Sequence, residues 1–245
     1  MSINKFADMI KECNNIVFFG GAGVSTESGV KDYRSEDGLY NTVKEYGLSP
    51  EEILSHDFFF QHTNVFYDFY RKYFIVDVKP NNAHTALAKL EQLGKLKVVI
   101  TQNIDGLHQK AGSKNVIELH GNASKFYCVK CGSVGDNSMH LSKIKSGEIP
   151  RCGLCDSIMK PQVVLYGEKL YDGVGEMAVE YIEKADMLIV GGTSLAVYPA
   201  ASFVRYFKGK YIVMINKTTT QYDDRADLIF RENIGEVFNE VMKLL

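Results

Sequence analysis

The sequence has no excess of positive charge: 28 Lys and Arg stand against 30 Asp and Glu, for a formal net charge of -2. Binding a nucleic-acid backbone needs a basic excess or a basic stripe. Neither is present, so no direct nucleic-acid partner is expected. Long hydrophobic runs are missing too. The run Ile16 to Phe19 is far short of the ~20 residues that span a bilayer, so no membrane partner is expected. The first residues, MSINKFADMIKEC, lack a basic n-region and a small-residue cleavage site. A cytoplasmic compartment with reduced thiols is therefore expected. Internal repeats and low-complexity stretches are absent.

What remains is an ordinary globular composition, 45% apolar and 24% charged. A chain of 245 residues fits one large domain or two small ones and can bury a sizeable core. Short apolar runs punctuate it: Ile16–Phe19, Val98–Thr101, Val116–Leu119, Met187–Val190, Tyr211–Ile215 and Leu228–Phe230. Helical patterns lie between them. Ala83, Leu87, Leu90 and Leu93 keep helical spacing before Gly94, a natural C-cap. Ile234, Val237, Phe238, Val241 and Leu245 form one apolar stripe, and Pro199 suits a first helical turn. Continuous apolar strands with intervening helices predict an α/β fold with a parallel sheet covered on both faces. Two stretches break the rhythm: residues 35–79, aromatic and helical in pattern, and residues 123–159, which hold the cysteine pairs. Both read as insertions that build a second, smaller domain.

Four of the five cysteines form two CxxC pairs, Cys128/Cys131 and Cys152/Cys155, separated by 20 residues. Each pair presents two thiolates to one tetrahedral ion, and four thiolates close the shell. A closed shell leaves no place for water or substrate, so the metal is expected to be one structural zinc ion holding a small ribbon. Disulfides or buried free thiols are the alternatives, and neither explains two pairs at this spacing without a secretion signal. Cys13 stands alone and reads as a small buried apolar residue.

Gly20-Gly21-Ala22-Gly23 follows the first strand. Such a loop lets backbone N–H groups approach a pyrophosphate at a helix N-terminus. The full G-x-G-x-x-G pattern fails at Thr26, and no acidic residue closes a second strand where a dehydrogenase would hold a ribose. A tight strand-to-helix turn with no ligand explains the glycines as well.

The loop continues as GAGVSTESGVKDYRS, residues 21–35. It resembles the cofactor loop of sirtuins, GAGIS-x-x-SGIPDFR. TQNIDGLHQKAG (101–112), ELHGN (118–122), VVLYGE (163–168) and GGTSLAVYPAA (191–201) resemble further sirtuin segments in the family's order, and the cysteine quartet lies where the family carries its zinc ribbon. The resemblance implies a Rossmann-like NAD-binding domain of residues 1–34, 80–122 and 160–245. Beside it stands a small domain of the helical insertion 35–79 and the zinc ribbon 123–159. It implies NAD as co-substrate, and acylated-lysine proteins or peptides as partners, bound in the cleft between the domains. The acyl oxygen of the lysine amide attacks the ribose carbon, nicotinamide leaves, and the acyl group passes to a ribose hydroxyl. The products are free lysine, nicotinamide and O-acyl-ADP-ribose.

By the same resemblance His120 is the general base, as an imidazole titrating near neutrality allows; a lone histidine is otherwise more often structural. Asn103 and Asp105 line the nicotinamide pocket, with Gln102 and Ile104 beside them, though the same residues suit the cap of a strand-to-helix turn. Ala22, Thr26, Tyr33 and Arg34 contact the cofactor, Arg34 offering a planar fork to the pyrophosphate. Thr193, Ser194 and Asn216 meet the ribose and phosphates, and Ile234 the adenine. Val163, Val164, Tyr166, Gly167 and Glu168 face Val197 across the substrate peptide, which adds as a strand. Asp32 matches the family's Asp and reads as structural.

Gly20, Lys31, Tyr33 and Tyr166 depart from the usual Thr, Pro, Phe and Phe. Sirtuins that favour acidic acyl groups carry Tyr-x-x-Arg in the helical insertion; here Tyr67 is followed by Tyr70, with Arg71 one position off, so acetyl and other neutral acyl groups are expected. A mono-ADP-ribosyltransferase on the same scaffold shares the cofactor loop, but the intact His120 with Asn103 and Asp105 favours deacylation. A non-catalytic NAD-sensing zinc module is disfavoured by the charge balance, and a dehydrogenase by the broken glycine pattern.

Overall fold

The computed structural model describes residues 2–31 and 43–245. Its strands are β1 (Ile16–Gly20), β2 (Leu96–Thr101), β3 (Val116–Glu118), β4 (Gly121–Cys128), β5 (Met159–Val163), β6 (Met187–Gly191), β7 (Tyr211–Ile215) and β8 (Leu228–Phe230). The six apolar runs of the sequence all enter one parallel sheet, ordered β3-β2-β1-β6-β7-β8. The chain starts at the centre, builds outward to β3, returns to β6 beside β1, and builds outward on the other side. Loops leaving the carboxyl ends of β1 and β6 diverge at this reversal and open a crevice.

Every residue of β1 and β6 is buried because both faces of the sheet are covered. Side chains alternate across a strand, so Ile16 and Phe18 join one core while Val17 and Phe19 join another. The first core takes the helices Ser2–Glu12, Asn82–Gln92 and Ile234–Met242. The second takes the helix Val174–Lys184 and the 3-10 helix Ala200–Tyr206. Gly94 follows the C-cap of helix Asn82–Gln92 at φ +73°, a conformation costly for any residue with a Cβ. The C-terminal stripe is shorter than the sequence pattern suggests: Ile234, Val237, Phe238 and Val241 are buried, whereas Leu245 lies past the helix end and is exposed.

A third core joins the helical insertion to the cysteine ribbon. Within the insertion Ser49 starts the helix Pro50–Ile53 with a capping box to Glu52, and Pro50 occupies the first turn. Helices His56–Gln61 and Thr63–Tyr73 then bury Phe59, Phe66, Tyr67, Phe69 and Tyr70 against residues of the antiparallel pair β4–β5. Buried phenols need partners. Tyr67 donates to the carbonyl of Met159, and Tyr70 to that of Ala123 at 2.7 Å. Cys13 is buried in the first core, as a small apolar residue would be, and burial pushes its thiol up to about 11. Among the described residues no helix is long and apolar enough to cross a membrane.

Candidate active site

The segments after β1, β2, β6 and β7 all open into one cleft of about 790 Å³, closed on the far side by β5 and its continuation. That volume suits a cofactor-sized ligand. Gln102, Asn103, Ile104 and Asp105 line it from the end of β2, Ala22 and Thr26 from β1, Thr193, Ser194 and Val197 from β6, and Asn216 from β7. His120, Ile234, and Val163, Val164, Tyr166, Gly167 and Glu168 complete its wall. The predicted cleft residues therefore converge, except Tyr33 and Arg34, which with Asp32 lie outside the described residues.

His120 precedes β4, and its Nδ1 lies 3.0 Å from the carbonyl oxygen of Gln102. A carbonyl only accepts, so Nδ1 carries the proton and Nε2 is left with a free lone pair. Burial holds the imidazole below its ordinary pKa, opposed by the bond to Gln102. The site thus presents a neutral base with a fixed tautomer.

A second network lies beneath Asn103 and Asp105. The hydroxyl of Ser25 donates to Asp105 Oδ2 at 2.7 Å and accepts from Asn103 Nδ2 at 3.1 Å. His84 Nε2 lies 3.5 Å from the same oxygen. Its Nδ1 faces Asn81, 3.3 Å from the backbone nitrogen and 3.1 Å from the side-chain oxygen. Burial pushes His84 down to about 4, against the pull of Asp105. His108 packs against His84 with centroids 4.7 Å apart and the rings inclined at 57°, and burial pushes it down to about 3. Asp105 Oδ1 also accepts from Leu107 N at 2.9 Å. The carboxylate thus caps the turn as well as lining the cleft. Ser25 belongs to the quoted GAGVS motif, yet sequence reasoning gave neither it nor His84 a part; His84 also closes the capping box at Asn81, and its nearness to Ser25 is set by the fold.

The glycine loop differs from its sequence reading. It enters two 3-10 turns, Ala22–Val24 and Thr26–Ser28, rather than an α-helix. Gly21 N and Gly23 N donate to Gly191 O and Gly192 O at 3.2 and 2.8 Å, so these amides are not available to a pyrophosphate. A Cβ at Gly23 would stand 2.8 Å from Gly192 Cα, and one at Gly21 2.8 Å from Thr193 Cβ. The glycines let two cofactor loops touch. The Gly20 departure has a packing cause too: a Cβ there would meet the Phe18 ring at 2.6 Å. Gln102 Nε2 donates to Thr193 Oγ1 at 3.0 Å, tying the β2 loop to the β6 loop. Thr26 Oγ1 donates to Gly23 O, and Asn216 Nδ2 to Thr218 O.

The segment 163–168 is also more than a strand. Regular pairing ends at Val163. Tyr166 N donates to Leu54 O and Tyr166 O accepts from His56 N, each at 2.9 Å, so one edge is already taken by the helical insertion.

At the ribbon the four cysteine Sγ atoms lie within 4.8 Å of one another. Separations of 3.4 Å for Cys128–Cys155 and 3.7 Å for Cys131–Cys152 approach the ~3.8 Å edge of a tetrahedron with ~2.3 Å zinc–sulfur bonds. They are far from the ~2.0 Å of a disulfide. Backbone N–H groups of Cys131 and Leu154 reach Cys128 Sγ and Cys152 Sγ at 3.4 Å, as suits thiolates. The donor set fits one structural zinc.

The sequence model of the Sir2 family matches residues 21–199. The chain belongs to the Sir2 family. An NAD-dependent protein deacetylase of Clostridium perfringens is 52% identical over 98% of both chains. A solved complex of Sir2 with a p53 peptide and NAD+ is 37% identical, covers 100% of this chain and 98% of its own, and superposes with a TM-score of 0.89. Another Sir2 structure, holding a deacetylated p53 peptide and 3'-O-acetyl ADP-ribose, is 38% identical over 100% of this chain and 98% of its own, with a TM-score of 0.89. Described residues of each motif quoted from the sequence line the cleft, and the cysteines of the two CxxC pairs are the ones that cluster.

Proposed function

We propose that the chain removes acetyl groups from lysine side chains of other proteins in the cytoplasm, consuming NAD, with His120 as general base. The observation that carries this reading is the tautomer at His120: Nδ1 spends its proton on Gln102 O, which aims a basic Nε2 at the cleft. NAD supplies an activated ribose carbon, from which nicotinamide leaves and to which the acyl oxygen adds. Nε2 takes the proton of a ribose hydroxyl, and that oxygen bonds to the acyl carbon; water then adds there, the lysine amine leaves as the C–N bond breaks, and the acyl group stays on the ribose as O-acyl-ADP-ribose. Asn103 and Asp105, held by Ser25, orient the nicotinamide carboxamide and water. Ala22, Thr26, Thr193, Ser194 and Asn216 bind ribose and phosphates, and Ile234 the adenine, with Gln102 and Ile104 between. Tyr33 and Arg34 complete the loop.

The peptide lies between Val163–Glu168 and Val197, which face the same cleft. Cys128, Cys131, Cys152 and Cys155 hold zinc, which supplies folding energy to the ribbon and no chemistry to the cleft. A division into a cofactor domain (1–34, 80–122, 160–245) and a small domain (35–79, 123–159) is supported by the third core, which joins the insertion to the ribbon and also takes Val163 and Leu165 from the cofactor-domain range. Neutral acyl groups suit the site: the Tyr67 and Tyr70 hydroxyls are spent on backbone carbonyls, and Arg71 pairs with Asp68 at the surface. NAD labelled in its adenylate half distinguishes deacylation from ADP-ribosyl transfer. The label is expected in a free acyl ester, with acetyl-peptide turned over faster than succinyl-peptide; label retained on protein would refute the reading.

A further inference from the structure

Lysine is almost never fully buried without a partner, yet Lys160 in β5 has a side chain only 2% exposed. Its ammonium donates to Val163 O at 2.8 Å and to Glu168 Oε2 at 3.0 Å, and lies over the Tyr127 ring, 5.5 Å from the centroid. The same carboxylate oxygen accepts from Leu165 N at 2.9 Å, and Glu168 N returns a bond to Leu165 O at 2.9 Å. One cation thereby fastens both ends of the segment 163–168, with Gly167 at φ +90° making the bend. Outside this knot, Val164 N is bonded to His120 O at 2.9 Å, and Tyr166 to the helical insertion. Burying such a pair costs about as much desolvation as its attraction returns, so its contribution is to geometry more than to net stability.

We propose that Lys160 is a positioning residue for substrate: by drawing the Val163 carbonyl and the Glu168 carboxylate together, it shapes the segment 163–168 that lines the cleft where the acyl-lysine peptide binds. The proposal rests on the deacetylase reading. It is tested by steady-state kinetics of nicotinamide release from NAD and an acetyl-lysine peptide. Lys160→Met is expected to raise the peptide KM about tenfold, while kcat falls less than about threefold and the NAD KM stays within about twofold. The single variant leaves the half-buried Glu168 carboxylate without its cation, which costs stability. The double variant Lys160→Met/Glu168→Gln removes both charges, and is expected to melt near the wild type and show the same rise in peptide KM. An unchanged peptide KM in either folded variant overturns the proposal, as does a rise that falls equally on NAD and peptide. If the wild-type chain itself releases no nicotinamide with peptide, the deacetylase reading fails first and this one with it.

Discussion

The bond from His120 Nδ1 to Gln102 O fixes a tautomer, while burial, against the pull of that bond, sets the pH range in which the base works. The imidazole must be neutral to take a proton. Burial lowers its pKa from the ordinary ~6.5, so the neutral form persists into mildly acidic solution. The acid limb of kcat/KM is therefore expected below pH ~6.5, and a rate profile over acidic pH checks it. A limb at or above that value would mean that the titrating group is not this buried imidazole. His120, Asn103 and Asp105 were legible in the sequence because ordered motifs mark them. Ser25 and His84 were not, because their part is to hold Asp105 and Asn103 from below, and a hydroxyl at 2.7 Å from a carboxylate is a tertiary fact. Glu27 is another such residue. It accepts from Gly235 N at 2.6 Å and so caps the C-terminal helix from the cofactor loop, across a sequence separation of 208.

Among the elements, the six strands of the main sheet were legible because burial on both faces leaves an unbroken apolar run. The pair β4–β5 was not. Its residues, GNASKFYC and MKPQV, mix exposed and buried positions, and Lys160 and Pro161 are poor strand formers. The helix Asn137–Lys145, between the cysteine pairs, escaped for the same reason. It buries only His140 and Ile144. These elements gain their order from the cysteine cluster and from the third core, in which Cys128 and Cys152 are themselves buried. Removing zinc with a chelator is expected to lower the melting temperature and lose peptide turnover together, with one zinc per chain by metal analysis. Cys155→Ser should do the same without a chelator. A chain that keeps its melting temperature and activity when metal-free would contradict a structural ion.

Across the whole molecule, the reversal between β1 and β6 decides where chemistry can occur. Four segments that are far apart in sequence leave the same end of the sheet, and the insertion and the segment 163–168 wall the opposite side of one cleft. The sequence indicated which segments follow strands but not that Gly21 and Gly23 serve contact between two of them, since their amides are bonded to Gly191 and Gly192. The placement of the substrate segment was likewise legible only as a motif; its fastening by Lys160 and Leu54 is set by β5 and the insertion together.

The central claim, that the cleft couples loss of an acyl group from lysine to cleavage of NAD through His120, is tested most directly by a mass balance. Wild-type chain and a His120→Ala variant are incubated with NAD and an acetyl-lysine peptide, and nicotinamide and deacetylated peptide are counted. The account predicts equal amounts of the two products from the wild type, and a loss of roughly 10²- to 10⁴-fold in peptide deacetylation by the variant. Deacetylation that continues unabated in the variant, or proceeds without nicotinamide release, would contradict it.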